Sequence, residues 1–356
     1  MSEKIKALPK VLVGMSGGVD SAVAAYLLKK QGYEVIGITA MNWPGSRCCS
    51  DSSILKAQQI SFQLGIPHHI IDVVDDFQGN IIDHFVDSYF DGETPNPCTR
   101  CNRLIRFGVL VDKAKKLLGL SDAYFATGHY VQIISSPDGY LLKKAVDPNK
   151  DQSYMLYGLN QHQLSRYLAP LGGLTKPEVR AIATEINLPV SKTPDSQDVC
   201  FVENDYRQFI TGYSTKNSPE GDFVLTNGQK LGTHKGIAFY TIGQRRGLGV
   251  SYTEPLYVIK LDKSKNQVVL GTENELLQNE VSISNIHWVI DPKNIDLNSL
   301  ETKIRYQTDP FKSKVVLGSD QTGKAFLSTP ASAITPGQNA VFYFNDCVVG
   351  GGVISL

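Results

Sequence analysis

The chain has 356 residues, 42% of them hydrophobic, enough for two or three domains with cores of their own. Its 35 Lys and Arg balance 35 Asp and Glu, which excludes binding driven by net charge and confines any nucleic-acid site to a local patch. No run of about 18 apolar residues argues for a membrane span, and MSEKIKALPKVLVG passes into a strand without an apolar h-region or a cleavage site, which points to the cytoplasm.

From residue 10 onward short β-branched runs alternate with helical patterns. KVLVGMS, YEVIGITAM, PHHIIDVV and DAYFATGH read as strands; SAVAAYLLKKQ, SSILKAQQISFQL and IRFGVLVDKAKKLLG read as helices. Such alternation predicts an α/β fold, a doubly wound parallel sheet over residues 1–204, with ligands beyond the carboxyl ends of the strands. GMSGGVDS, GITAMNW and ATGHY all fall there. After about residue 205 the helices give way to short strands with Gly, Asn and Asp turns, a small β-rich central domain over 205–279. VSISNIHWVI, TKIRYQT, SKVVLGSD, GKAFLST and NAVFYFNDCVVGGGVISL then predict a C-terminal β-barrel over 280–356.

The stretch GMSGGVDS, comprising Gly14, Met15, Ser16, Gly17, Gly18, Val19, Asp20 and Ser21, fits neither GxxxxGK[ST] nor GxGxxG. It is a strand, a turn of small residues, and a helix opening near Ser21. Glycines admit an anion close to the backbone, Ser16 and Ser21 add hydroxyls, and the helix start offers N–H groups. The plain alternative is a tight turn with a serine N-cap. In context SGGVDS resembles the ATP loop of the N-type ATP hydrolases, the PP-loop superfamily, whose members cleave ATP between its α and β phosphates. That resemblance implies ATP, with Mg²⁺ as the charge-neutralising partner.

Six cysteines are too few for a secreted disulfide scaffold and suit a reducing compartment, where metal binding or thiol chemistry is the usual use. TPNPCTRCN presents Cys98 and Cys101 on a turn constrained by proline. Zinc would need a second close pair, which Cys48–Cys49, Cys200 and Cys347 do not form; an iron-sulfur cluster on Cys98, Cys101 and Cys200 is a second reading. The third, favoured here, is persulfide chemistry: Cys200, closing the loop TPDSQDVCFV, is one of two thiols on separate loops, as sulfur transfer requires. Arg100, Arg103 or a helix N-terminus would favour the thiolate. No metal-ligating set is expected.

GMSGGVDS, MNW, TPNPCxxCN, ATGHY, KDQSY, SQDVCF and GTHKGIAFYTIGQRRGLG, in this order over nearly the whole chain, resemble bacterial tRNA-specific 2-thiouridylases, the MnmA family. The resemblance implies a tRNA-uridine 2-sulfurtransferase that adenylates the 2-oxygen of the wobble uridine of tRNAs for lysine, glutamate and glutamine, then replaces it with sulfur. It implies that the loop residues, with the backbone at Ala40 and Gly128, bind ATP. It makes Cys101 the nucleophile and Cys200 the persulfide carrier, joined by a transient disulfide. Asn96, Pro97 and Cys98 would face the target base, while His129, Lys150, Asp151, Gln152, Arg305, Tyr306 and Gln338 would contact tRNA. A cysteine desulfurase or a sulfur-relay protein would supply the sulfur. Some relatives carry aspartate at Cys98, so an acid/base role does not transfer, leaving a resolving thiol or a packing residue.

The base must leave the anticodon stack, and Tyr130, Tyr154 or Trp43 are candidates to stack on it. Lys143–Lys144, Arg245–Arg246 and Lys303 with Arg305 are candidate phosphate contacts. His68–His69, Cys48–Cys49, Cys347 and Trp288 read as structural. Competing functions are an iron-sulfur-dependent tRNA thiolase, a PP-loop ligase with incidental cysteines, and a zinc-stabilised RNA-binding protein.

Overall fold

A computed structural model describes residues 8–44, 46, 50–190, 199–203 and 205–355. Cys48, Cys49 and residues 193–198 of TPDSQDVCFV lie outside the described residues. The chain forms two compact units: Met1–Ile81, Cys98–Glu203 and Asp346–Val348 make one, and Ile82–Pro97, Asn204–Asn345 and Val349–Leu356 make the other.

The strands of the first unit are β1 (Lys10–Gly14), β2 (Glu34–Met41), β3 (His68–Asp72), β4 (Tyr124–Ala126), β5 (Val131–Ser136), β6 (Gly139–Lys144) and β7 (Tyr167–Leu168). Five of them form a parallel sheet in the order β3-β2-β1-β4-β7. Val11, Leu12 and Val13 are fully buried. A central parallel strand is covered on both faces, so it reads as a continuous apolar run rather than an alternation. The covering helices include α1 (Val19–Lys30), α2 (Asp51–Leu64), α3 (Leu110–Leu118) and α4 (Lys176–Glu185). From β1 the chain goes outward through β2 to β3 and returns on the other side of β1 as β4, so the strand order reverses between β1 and β4. The carboxyl ends of those two strands are the switch point where such sheets bind ligands, and GMSGGVDS and ATGHY leave from there.

Besides the short edge strand β7, which the sequence does not mark, two features of this unit depart from the sequence-based expectation. SSPDG turns the chain between β5 and β6, an antiparallel hairpin that was not anticipated. TPNPCTRCN does not present its thiols on a loop: Pro97–Cys101 is one α-helical turn that continues into π-helical residues Asn102–Val109 and then α3. Proline suits a first helical position, where its missing N–H is not needed.

In the second unit β8 (Gly221–Leu225), β9 (Lys230–His234), β10 (Tyr257–Asp262) and β11 (Gln267–Gly271) make a sheet in the order β10-β11-β8-β9 over Phe223, Val258, Val268 and Leu270. The strands β12 (Leu277–Trp288), β13 (Leu300–Lys303), β14 (Phe311–Leu317), β15 (Gly323–Ser332), β16 (Asn339–Phe344) and β17 (Cys347–Ile354) follow in the order β12-β15-β14-β13-β16-β17. Pairing of β12 with β17 closes them into a six-stranded barrel. TKIRYQT, expected as a strand, pairs only to Lys303. Arg305 and Tyr306 lie in the following turn because the Arg305 Nη2 donates to Ala333 O and, at 3.0 Å, to Thr335 Oγ1.

Candidate active site

The loop after β1 is held from below and open above. Met15 N donates to Ile38 O at 2.8 Å, and Met15 O accepts from Thr39 Oγ1 at 2.7 Å. The Thr39 proton is thereby committed, so His68 Nε2, 2.8 Å away, donates to Thr39; burial lowers the His68 pKa and His69 adds to this. His68 is structural, as expected, and it supports the loop.

Helix α1 begins at Val19, two residues before the expected start, and its N-cap is Gly18, with no side-chain cap. Ser21 Oγ instead donates to Gly18 O at 3.1 Å and accepts from Ser16 N at 3.2 Å, folding the loop onto itself. The N–H groups of Gly17, Val19, Asp20 and Ser21 have no protein acceptor among the described residues. A row of such donors at a helix start is an anion cradle. Gly17 has φ +74, and a Cβ there would stand 2.5 Å from Ser53 O. At Gly128 a Cβ would stand 2.6 Å from Asp20 C and 2.7 Å from Ser21 N, so both glycines are needed for close approach.

The loop lacks lysine, but a distant one reaches it. Lys176 Nζ at the start of α4 lies 2.8 Å from each carboxylate oxygen of Asp20, and Tyr130 OH donates to Asp20 Oδ1 at 2.8 Å. The Lys176 side chain is 9% exposed and that of Asp20 31%. Lys176 was missed in the sequence, although Thr175-Lys176-Pro177-Glu178 carries a capping-box signal that starts a helix there.

The cysteine segments share an anchor. Phe201, next to Cys200, packs edge-on against Phe77 with ring centroids 5.8 Å apart. Arg100, next to Cys101, donates from Nε to Asn80 O at 2.6 Å. Phe77 and Asn80 lie on one continuous helical stretch, Val74–Ile82. Cys101 and Cys200 are half-buried, and Cys98 is exposed. Among the described residues no group of three or more His, Cys, Asp and Glu is arranged to hold a metal ion.

His129 is buried and bonded at both nitrogens. Its Nε2 lies 3.3 Å from Arg106 Nη1, which can only donate, so the ring proton sits on Nδ1 and is donated to Thr127 Oγ1 at 2.7 Å. Burial, reinforced by Arg106, pushes the His129 pKa down to about 3. Asp151 accepts from Ala145 N and Ser153 N, and Gln152 exchanges hydrogen bonds with the Tyr130 backbone, both at 3.0 Å. Asp151 thus closes the 145–153 segment on itself, and Gln152 ties that segment to Tyr130, two residues beyond Gly128. Tyr130 and Tyr154 are 2% and 0% exposed, so neither can stack on a base: both fill the core. Ala40 and Trp43, at the end of β2, are half-buried.

In the second unit a cavity of about 630 Å³ is lined by Arg207, Arg245, Arg246, Arg305, Thr94, Thr241 and Gln338, among others. Gln338 Nε2 donates to Thr94 O at 2.7 Å. Lys303 Nζ lies 5.7 Å from the Tyr306 ring centroid. Asn96 and Pro97 also belong to this unit.

Three family models match the chain: a tRNA methyl transferase HUP domain over residues 9–204, a tRNA methyl transferase PRC-barrel domain over 207–272 and an aminomethyltransferase beta-barrel domain over 278–354. Among curated relatives, the chain is 44% identical over 354 residues to tRNA-specific 2-thiouridylase MnmA 2 of Clostridium botulinum strain Okra, covering 97% of this chain and 99% of the relative. It is 44% identical to tRNA-specific 2-thiouridylase MnmA of Acetivibrio thermocellus, with coverage of 97% and 99%. It is 45% identical to tRNA-specific 2-thiouridylase MnmA 1 of Caldanaerobacter subterraneus, with coverage of 97% of each. The domain descriptions speak of methyl transfer and the full-length relatives of thiolation; identity over the whole length gives the relatives the greater weight.

Proposed function

The chain belongs to the family of tRNA-specific 2-thiouridylases, and from that premise we propose that it replaces the 2-oxygen of the wobble uridine of tRNA with sulfur, using ATP. The division of labour follows the residues: a HUP-type catalytic domain over 1–204, a small central domain over 205–279 and a tRNA-contacting barrel over 280–356.

The uridine oxygen attacks the α-phosphorus of ATP, and pyrophosphate leaves into the N–H row of Gly17, Val19, Asp20 and Ser21, with Ala40 and Gly128 against the nucleotide. Asp20 is the loop's one carboxylate, and Lys176 holds both of its oxygens. Mg²⁺ would therefore be held there mainly by phosphate oxygens, with Asp20 joining only by releasing an oxygen from Lys176, and it would supply charge neutralisation. Adenylation turns a poor leaving group, an oxygen, into a good one, AMP. The terminal sulfur of a Cys200 persulfide then forms a bond to C2. The Cys101 thiolate attacks the Cys200 sulfur, the S–S electron pair passes to the transferred sulfur, AMP departs, and a Cys101–Cys200 disulfide remains. Cys98, exposed on the same helical turn as Cys101, is a resolving thiol for that disulfide.

The observation that carries this reading is the common anchorage of the two cysteine segments on Phe77 and Asn80. Asn96, Pro97, Lys150, Arg305, Tyr306 and Gln338 remain the proposed tRNA contacts, with His129, Asp151 and Gln152 acting by positioning, and a cysteine desulfurase or relay protein loads Cys200. The test is thiolation of unmodified tRNA with ATP and a persulfide source. Cys101→Ser and Cys200→Ser should each abolish 2-thiouridine while leaving tRNA-dependent pyrophosphate release within about threefold; full thiolation by both variants would overturn the mechanism.

A further inference from the structure

The reaction just described leaves one anion without a protein partner: the α-phosphate, which is charged through adenylation and again when AMP departs. Arg106 is built to meet it. Its Nη1 donates to Asn102 Oδ1 at 2.9 Å and to the neutral His129 Nε2, and Asn102 is itself fixed by donating from Nδ2 to Met155 O at 3.1 Å. The chain of bonds continues from His129 through Thr127 to Tyr167 OH, 2.6 Å from Thr127 Oγ1. Both acceptors of Arg106 are uncharged, so its position is fixed and its charge is not cancelled. Its Nε and Nη2 donors have no protein acceptor among the described residues, and the side chain is only partly buried.

The location is as specific as the bracing. His129 directly follows Gly128, whose Cα lies against the backbone of Asp20 and Ser21. In the other direction Arg106 is one π-helical turn beyond Cys101. Arg106 therefore stands between the pyrophosphate loop and the reacting thiol. Of the neighbouring cations, Lys176 is held by Asp20 and Arg100 by Asn80 O.

We infer that Arg106 is a catalytic residue that holds the α-phosphate of the adenylated uridine and of departing AMP; the inference rests on the ATP site proposed above. A fixed guanidinium with two open donors matches two phosphate oxygens. The reacting bond between the 2-oxygen and phosphorus is thereby kept beside Cys101.

The test compares AMP with adenosine, which differ by that phosphate, by calorimetric titration of the full chain. The wild type should prefer AMP, and Arg106→Met should lose about 10- to 100-fold of the preference, the range for hydrogen bonds to a charged group, with adenosine affinity unchanged. Arg106→Lys should keep most of the preference, since the charge stays on a similar stem. If Arg106→Met binds neither compound, Arg106→Gln, which retains a donor to His129, is read in its place. A preference within twofold of wild type in these neutral variants overturns the proposal. So does equal loss for AMP and adenosine in Arg106→Lys, which would make Arg106 a brace for the helix. Wild-type protein that binds neither compound defeats the ATP-site reading itself, and the inference with it.

Discussion

His129 shows how burial gives a residue a role different from the one its type suggests. The folded state keeps the ring neutral down to about pH 3, whereas in the unfolded chain it takes a proton near its ordinary value. Between those values the unfolded state binds the extra proton, so this contribution to stability is complete above about pH 6.5 and declines as the pH falls. Unfolding free energies from denaturant titrations should therefore fall less steeply between pH 7 and pH 4.5 in His129→Gln, by up to about 1.4 kcal/mol per pH unit. Lys176 is the second such residue. Lys176→Met leaves Asp20 with Tyr130 alone and should cost about 1–2 kcal/mol, below the range for fully buried pairs because Asp20 keeps 31% of its side-chain exposure. Tyrosine-independent melting and pyrophosphate release measured together check it; ATP cleavage should drop at least tenfold. The loop itself was legible because its chemistry is local: glycines, serines and a strand-to-helix boundary lie within eight residues of sequence. Lys176 and Arg106 were not, since the one meets Asp20 and the other His129 only after distant segments have folded together.

Among the elements, the parallel strands β1 to β4 and α1, α2 and α3 were legible from apolar runs and helical spacing, whose periods differ clearly, whereas the two-residue edge strand β7 was too short to leave a pattern. The Pro97–Cys101 turn was misread as a loop because two prolines, Pro95 and Pro97, precede the cysteines, while the second proline in fact occupies a first helical position. Nothing in the sequence marks the π-helical stretch that follows, since widening a turn depends on what packs around it. The Val74–Ile82 stretch, which anchors both cysteine segments, was likewise not read from the sequence. Phe201→Ala removes one of its two grips, on Cys200. In single turnovers the variant should transfer sulfur at least tenfold more slowly, a loss of positioning, while AMP-forming adenylation stays within about twofold of wild type.

For the whole molecule, a net charge of zero means that tRNA affinity must come from local arginines and lysines. Arg245 and Arg246 line the cavity of the second unit, whereas Arg305 is partly engaged by Ala333 O and Thr335. Replacing both Arg245 and Arg246 by Gln should reduce the slope of log affinity against log salt by about 1–2, as two phosphate contacts would. Filter binding of tRNA across a salt series measures it. The β-rich character of the second half was legible from regularly spaced short strands and turn residues. Closure of β12 against β17 was not, because pairing between the first and last staves carries no local signal.

The grips at Phe77 and Asn80 also decide what each turnover leaves behind. Two sulfurs leashed to one short helix meet at an effective concentration that a dissolved thiol at low abundance does not match. In the proposed cycle the ring therefore closes within the protein before an outside thiol can intercept the sulfur, which protects the transfer from leakage as free sulfide. The same leash makes reopening that ring the recurring requirement, so turnover in the cell is coupled to the supply of reducing thiols as well as to ATP.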